Sequence, residues 1–171
     1  MNKPSVPEVE PLLESIAADL RMHIDGVDAE SCEIIGIRTG GVWLAERLQQ
    51  RLLPERQLGE LNIAFYRDDF SRVGLHPTVE PSQLPFSIDD RNLILVDDIL
   101  YTGRTVRAAM NEIFDYGRPR SITLAVLVDR GGRELPIDAA ICGTRMTLSP
   151  DEHVKLIGPD PLRLEICATS S

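Results

Sequence analysis

The chain has 171 residues, 43% of them hydrophobic, and this composition predicts one globular domain over residues 1–171 with its own core. Its net charge of −9 disfavours nucleic-acid binding, because most nucleic-acid-binding proteins are basic. Only a local basic patch would still allow such binding. No stretch has the length and apolarity of a membrane span and no secretory signal is recognisable, so we expect a soluble, cytoplasmic protein.

Predicted helices and strands alternate along the chain after a proline-rich start, residues 1–11, which is predicted to be a flexible arm. Apolar residues at helical spacing predict three helices, at residues 12–24, 42–53 and 105–116. Apolar runs of strand length predict strands at 33–37, 61–66, 93–96 and 121–128, with shorter strands at 139–142 and 153–157 that complete the same sheet. This alternation is typical of an α/β fold with a doubly wound, mostly parallel sheet flanked by helices.

One short stretch combines two acids with a hydroxyl-rich turn. Asp97 and Asp98 follow the predicted strand 93–96, and the turn 101–105 leads from there into a helix. The first N–H groups of a helix are unpaired and carry partial positive charge, and Gly103 lets backbone amides approach an anion closely. The stretch therefore predicts a phosphate cradle with two carboxylates about one ribose away, suited to sugar hydroxyls and a hydrated Mg²⁺. We expect both acids at the solvent-facing rim of the sheet.

This stretch, VDDILYTGRTVRAA at 96–109, resembles the phosphoribosyl-pyrophosphate (PRPP) signature of type I phosphoribosyltransferases. Four further segments resemble one branch of that family in order and spacing: IGIRTGG, LNIAFYRDD, YGRPRSITLAVLVDRGGRELPI and EHVKL. Proteins of that branch combine uracil phosphoribosyltransferase activity with attenuation of the pyrimidine operon. The resemblance covers most of residues 12–157 and implies Mg²⁺-dependent conversion of uracil and PRPP to UMP and diphosphate. It also implies a homodimer or homotetramer, with UMP or UTP as further ligands.

The resemblance assigns roles to individual residues. Asp97 and Asp98 are implied to hold the ribose hydroxyls, directly or through Mg²⁺ and water, and to stabilise the developing cation. Substrate contacts are implied for the pyrophosphate loop, the 5-phosphate turn and the base loop: Arg38, Thr39, Gly40, Tyr101, Thr102, Gly103, Arg104, Thr105, Val128, Asp129 and Arg130. The pyrophosphate loop of the family often contains a strained or cis peptide.

Residues 67–90 have no sustained hydrophobic period and hold three prolines, and a loop of this length in a compact domain is usually functional or disordered. The resemblance identifies it as a flexible hood that closes to exclude water from the reaction. Within it, Arg67 is implied to be a catalytic clamp on the pyrophosphate, and Asp68 or Asp69 to bind waters of the metal.

Three positions depart from related patterns. Gly40 stands where the family often has a basic residue, and Gly132 where it often has a histidine. Tyr101 stands where purine phosphoribosyltransferases commonly place an aspartate near the base, which favours a pyrimidine. The sequence offers no obvious general base for uracil.

A regulatory role through RNA is disfavoured by charge. Residues 1–37 hold eight acids against Lys3 and Arg21, whereas phosphate contacts from basic residues dominate RNA affinity. The remaining support is a small set of cations: Arg130, Arg133, Arg145 and Lys155. Three hypotheses therefore stay open: an active uracil phosphoribosyltransferase, a nucleotide-sensing regulator of pyrimidine synthesis with little catalysis, and a phosphoribosyltransferase for another base.

Overall fold

The computed structural model describes residues 5–63 and 81–169, which form three α-helices and seven β-strands. The helices are α1 Val9–Asp25, α2 Gly40–Leu52 and α3 Arg104–Tyr116. The strands are β1 Cys32–Ile37, β2 Gly59–Leu61, β3 Asn92–Leu100, β4 Ser121–Asp129, β5 Ile141–Arg145, β6 Glu152–Ile157 and β7 Arg163–Ala168. None of the helices in these two ranges could cross a membrane, since each is too short or too polar.

The first five strands form one parallel sheet in the order β2-β1-β3-β4-β5. Its strands read as nearly continuous apolar runs because the sheet is covered on both faces. The helices α1 and α2 pack on one face, and α3 packs on the other. The predicted α/β architecture is thus confirmed, and the carboxyl ends of the adjacent strands β1, β3 and β4 lie at a common edge.

The prediction that residues 153–157 complete the main sheet is wrong. They form β6, which pairs antiparallel with β7, a strand that the sequence analysis missed, in a separate two-stranded sheet. Val154, Leu156 and Leu164 from this hairpin are buried in the cluster on the α1–α2 side of the main sheet. A short alternating pattern predicts a strand but not its partner, because the pairing depends on contacts distant in sequence.

Several predicted boundaries also change. The arm does not extend to residue 11, because α1 begins at Val9, whose side chain is buried in the core. Pro11 fits the first turn of α1, where backbone N–H groups have no acceptor within the helix anyway. The strand predicted at 61–66 shares only Leu61 with β2, which covers Gly59–Leu61; residues 62 and 63 are not in a strand, and residues 64–66 lie outside the described residues. In contrast, β3 continues four residues past Val96, to Leu100.

The predicted hood 67–90 divides into two parts. Residues 67–80 lie outside the described residues. The remainder, 81–90, is packed against the sheet, because Gln83 exchanges two backbone hydrogen bonds of 2.8 Å with Glu60 and Ile88 is buried. The expectation of a loose loop is therefore wrong for residues 81–90.

Candidate active site

Asp97 and Asp98 lie within the last part of β3 rather than after it. Alternation along the strand places Asp97 on the α3 face, after Leu93 and Leu95, and Asp98 on the α2 face. Only 5% of Asp97 is exposed, so the expectation that both acids lie at a solvent-facing rim is wrong for Asp97. The amide of Asp98 donates to Asp97 Oδ1 at 2.9 Å, and the amide of Ile99 donates to Asp98 Oδ1 at 2.8 Å.

The predicted pyrophosphate loop connects β1 to α2 directly beside these acids. The peptide bond between Arg38 and Thr39 is cis, in agreement with the expectation for this loop. At the start of α2, a Cβ added to Gly40 would lie 2.3 Å from Asp98 Oδ2, and one added to Gly41 would lie 2.5 Å from the carbonyl oxygen of Val96. Glycine at position 41 is therefore needed for the close approach of the helix start to the backbone of β3, and at position 40 a side chain would have to displace the carboxylate of Asp98. This contact gives a steric reason for glycine at position 40, where the related family often has a basic side chain.

Arg38 is oriented by an acid on the neighbouring strand. Its Nε and Nη2 lie 3.0 and 2.9 Å from Glu60 Oε2, and both side chains are about three-quarters buried. The backbone amide of Arg38 also donates to the carbonyl of Leu61 at 2.9 Å. Glu60 was not among the predicted site residues, because its partner is 22 residues away and only the parallel pairing of β1 and β2 brings them together.

The predicted 5-phosphate turn lies between β3 and α3. Gly103 caps α3 with a φ of +92°, a left-handed conformation that favours glycine, and it supplies no side chain to cover the first helical amides. The amide of Arg104 bonds to the Thr102 hydroxyl at 3.2 Å, and Arg104 Nε lies 2.6 Å from Glu134. The start of α3 therefore has the geometry of an anion-binding turn.

The base loop, defined here as residues 129–137, runs alongside this turn and is hydrogen-bonded to it. The carbonyl of Leu100 accepts from the Arg130 amide at 3.0 Å. The carbonyl of Thr102 accepts from the amides of Glu134 and Leu135 at 2.9 and 3.2 Å. These bonds attach the base loop to the last residue of β3 and to the 5-phosphate turn that follows it.

Tyr101 lies between the turn and the base loop. The guanidinium carbon of Arg130 is 3.9 Å from the centre of its ring, a cation–π geometry. Gly132 has a φ of +77°, and a Cβ added there would lie 2.4 Å from Tyr101 Cε2. The glycine that replaces the histidine common in related proteins therefore makes room for the Tyr101 ring.

Arg133 and Asp129 form an ion pair within the base loop. Arg133 Nη2 lies 2.7 Å from Asp129 Oδ2, and the Gly131 amide donates to Asp129 Oδ1 at 2.9 Å. The hydrogen bond from Arg133 is the main reason why the pKa of Asp129 is lowered from its ordinary value of 3.8, while burial opposes the shift. The carboxylate of Asp129 is thus ionised at neutral pH and acts as a fixed acceptor.

Of the two acids, only Asp98 is placed to serve a magnesium ion that is bound together with substrate, because it is partly exposed. Asp97 lies on the opposite face of the strand and is 5% exposed, so the expectation that both acids reach the metal is wrong for Asp97. Among residues 5–63 and 81–169, no three histidine, cysteine, aspartate or glutamate side chains converge on one metal position. One carboxylate is compatible with Mg²⁺, which is often bound by one or two carboxylates plus waters and substrate phosphates. A cavity of about 360 Å³ opens beside the base loop, between Arg130 and Arg145.

The structure brings most of the predicted site residues to the edge where β1, β3 and β4 end. The pyrophosphate loop (38–40), the acids (97–98), the 5-phosphate turn (101–105) and the end of β4 with the first residues of the base loop (128–130) all lie there. Val128 is fully buried, so it offers only backbone groups. Three predicted residues, Arg67, Asp68 and Asp69, lie outside the described residues.

The fold and these loops define a phosphoribosyltransferase, and residues 5–155 match the family model described as phosphoribosyl transferase domain. Solved structures agree with the fold. A hypoxanthine-guanine phosphoribosyltransferase from Bacillus anthracis has a TM-score of 0.62 at 18% identity, covering 88% of this chain and 87% of its own. A hypoxanthine phosphoribosyltransferase from Staphylococcus aureus has a TM-score of 0.60 at 20% identity, covering 90% and 86%.

Relatives of higher identity narrow the assignment. The protein named Bifunctional protein PyrR from Nitrosococcus oceani is 58% identical over 160 residues, which are 92% of this chain and 90% of the relative. A protein of the same name from Pseudomonas paraeruginosa is 53% identical, covering 94% and 95%. The chain therefore belongs to the PyrR branch of the phosphoribosyltransferase family.

The ion pair between Asp129 and Arg133 makes a pH-dependent contribution to stability. Because the folded-state pKa of Asp129 lies below its unfolded value, this contribution is complete above about pH 5 and is lost as pH falls through the folded pKa. We expect Asp129→Asn to lower the free energy of unfolding by about 1–3 kcal/mol at pH 7. In thermal unfolding, the difference from wild type should shrink below about pH 4.

The matched control is Asp138→Asn, which removes an exposed carboxylate 3.4 Å from the same guanidinium and should have little effect. A difference between Asp129→Asn and wild type that grows with acidity would contradict the prediction.

Proposed function

We propose that the protein is a Mg²⁺-dependent uracil phosphoribosyltransferase, which converts uracil and PRPP to UMP and diphosphate. The observation that supports it most is the convergence of three loops at one edge of the sheet. The pyrophosphate loop with its cis peptide contacts Asp98, and the 5-phosphate turn starts three residues after that acid. A ligand with phosphates at both ends of a ribose fits this arrangement.

The acids act on the sugar. Asp98 is partly exposed beside Gly40 and binds a ribose hydroxyl, while the buried Asp97 holds the Asp98 amide and adds negative charge. Departure of diphosphate leaves positive charge on the ribose ring, and fixed negative charge at that position stabilises the transition state. Mg²⁺ bound with PRPP supplies charge neutralisation for the leaving diphosphate.

The base binds near Tyr101 and the base loop. A tyrosine at this position leaves the site without the carboxylate that purine enzymes commonly place there, which favours a pyrimidine. In this proposal the base is contacted by the backbone groups of 128–130 and by the side chain of Arg130, which is stacked on Tyr101. Arg67, Asp68 and Asp69 complete the site in this proposal as the pyrophosphate clamp and the ligands of metal-bound water. The protein acts in the cytoplasm as a homodimer or homotetramer.

The proposal is tested with purified protein, PRPP and Mg²⁺, and each of uracil, orotate, hypoxanthine and adenine in turn. We expect diphosphate release with uracil alone, because Tyr101 replaces the purine-directed carboxylate. Binding of UMP or PRPP without turnover would support a nucleotide-sensing regulator instead. Turnover with a purine would show that the base assignment is wrong.

A substitution of Asp98 tests the role of the acids. Asp98→Asn should lower kcat by roughly 10²-fold, since it removes a charge that is needed mainly in the transition state. The fold should be retained because Asp98 is partly exposed. Asp97→Asn should also lower kcat, and circular dichroism is needed alongside it because Asp97 is buried. A wild-type rate for both variants would remove the acids from the mechanism.

A second function, as a regulator of pyrimidine synthesis genes, is supported by the name of the relatives, Bifunctional protein PyrR. The exposed face of α1 carries Glu14, Asp19 and Asp25, which oppose an RNA backbone. Two of the four basic residues that could support RNA binding already have partners within the protein. Arg130 is stacked on Tyr101, and Arg133 is bonded to Asp129. We therefore propose that regulation follows nucleotide binding and not strong RNA binding.

A gel-shift experiment checks this second proposal. At ~0.15 M salt, a pyrimidine-operon leader RNA should bind no more tightly than a scrambled RNA of equal length, because an acidic surface offers few basic residues to phosphates and salt screens the contacts that they make. A strong preference for the leader sequence would overturn it.

A further inference from the structure

The guanidinium of Arg133 lies within hydrogen-bond distance of four acceptors of the protein. Its Nε donates to the carbonyl of Ile137 at 2.8 Å, and Nη1 donates to the carbonyl of Tyr101 at 2.9 Å. Nη2 lies 2.7 Å from Asp129 and 3.4 Å from Asp138. The side chain is 22% exposed. These four acceptors come from the base loop, from the residue that follows it and from the 5-phosphate turn, so one side chain joins the two loops.

The bond to Tyr101 determines the orientation of a peptide group in the 5-phosphate turn. In a trans peptide the C=O and the following N–H point in opposite directions in one plane. The cis peptide bonds of the described residues all lie elsewhere in the chain. Holding the carbonyl of Tyr101 against Arg133 therefore directs the amide of Thr102 away from the base loop.

The next peptide group is held in the same way. The carbonyl of Thr102 accepts from the amides of Glu134 and Leu135, and this directs the amide of Gly103 away from the base loop. The structure shows no acceptor among the described residues for the amides of Thr102 or Gly103. The amides of Thr102 and Gly103 thus point away from the base loop, because the carbonyls of their peptide groups, those of Tyr101 and Thr102, are hydrogen-bonded to it.

We propose that Arg133 is a positioning residue, which orients the backbone amides of Thr102 and Gly103 for the 5-phosphate without touching it. The inference extends the proposed phosphoribosyl transfer and rests on its assignment of the turn to that phosphate. Arg133 acts from behind the turn, together with the amides of residues 134 and 135. Its ion pair with Asp129 keeps the guanidinium in place, because Asp129 is nine-tenths buried and is itself held by the Gly131 amide.

The test compares a ligand with and without the phosphate. Calorimetric titration of the wild-type protein with UMP and with uridine gives the contribution of the phosphate as the ratio of the two affinities. In Arg133→Ala, UMP affinity should fall by roughly 10- to 100-fold, as expected when one or two hydrogen bonds to a charged group are misaligned. Uridine affinity should fall much less, so the ratio should decrease.

Two further variants keep the result interpretable. Arg133→Lys retains the charge but cannot reach all four acceptors, so its UMP-to-uridine ratio should lie between those of wild type and Arg133→Ala. Arg163→Ala removes an arginine paired with Glu165 on β7, outside the proposed site, and should leave the ratio unchanged. If Arg133→Ala does not fold, Arg133→Lys alone decides the outcome.

The outcomes separate this inference from the proposed function. An unchanged ratio in Arg133→Lys and Arg133→Ala, or equal losses for UMP and uridine, would show that Arg133 only supports the fold. A decreased ratio supports the positioning role, even where the wild-type protein fails to turn over uracil. In that case the phosphate-binding turn is correct and the assigned reaction is wrong. A rise in the KM for PRPP with a smaller change in kcat would support both.

Discussion

The parallel pairing of β3 with β4 is the constraint on which the rest of the site depends. It continues past the apolar part of both strands, to the pair Leu100 and Asp129. Because β3 stays extended through its two acids, Asp97 and Asp98 are held on opposite faces of the sheet and the turn begins only at Tyr101. The same pairing brings the base loop beside the 5-phosphate turn, where backbone hydrogen bonds can join them.

Two glycines then adjust the distances within the site. Gly40 lets the start of α2 contact the carboxylate of Asp98, and Gly132 lets the ring of Tyr101 lie against the base loop. Each position differs from the pattern common in the related family, where a larger side chain is found. In this chain those side chains would have to displace Asp98 or Tyr101. Glycine therefore fits the packing of this site at both positions, and at position 40 it also removes a cation from the pyrophosphate loop.

The sequence was sufficient to predict the alternation of elements and the loops that meet at one edge, because both follow from local patterns and from the rules for parallel sheets. It did not predict the hairpin of β6 and β7, since pairing between short strands depends on tertiary contacts. Nor did it reveal the burial of Asp97, because the length of β3 is set by its neighbour β4. Glu60 was missed for the same kind of reason, as its role depends on the adjacent strand.

The net charge of −9 says little about the site, because several of the acids are partners of its arginines. Arg38 is paired with Glu60, Arg104 with Glu134 and Arg133 with Asp129. Each acid fixes the direction of its guanidinium, and because the two charges are opposite, the pair exerts little electrostatic attraction at a distance. In the proposed function, oriented amides and the helix starts of α2 and α3 therefore supply most of the attraction for an anionic ligand, and this attraction acts over about one turn. A site of this kind needs no basic surface around it, so an overall acidic charge is compatible with a ligand that carries several phosphates.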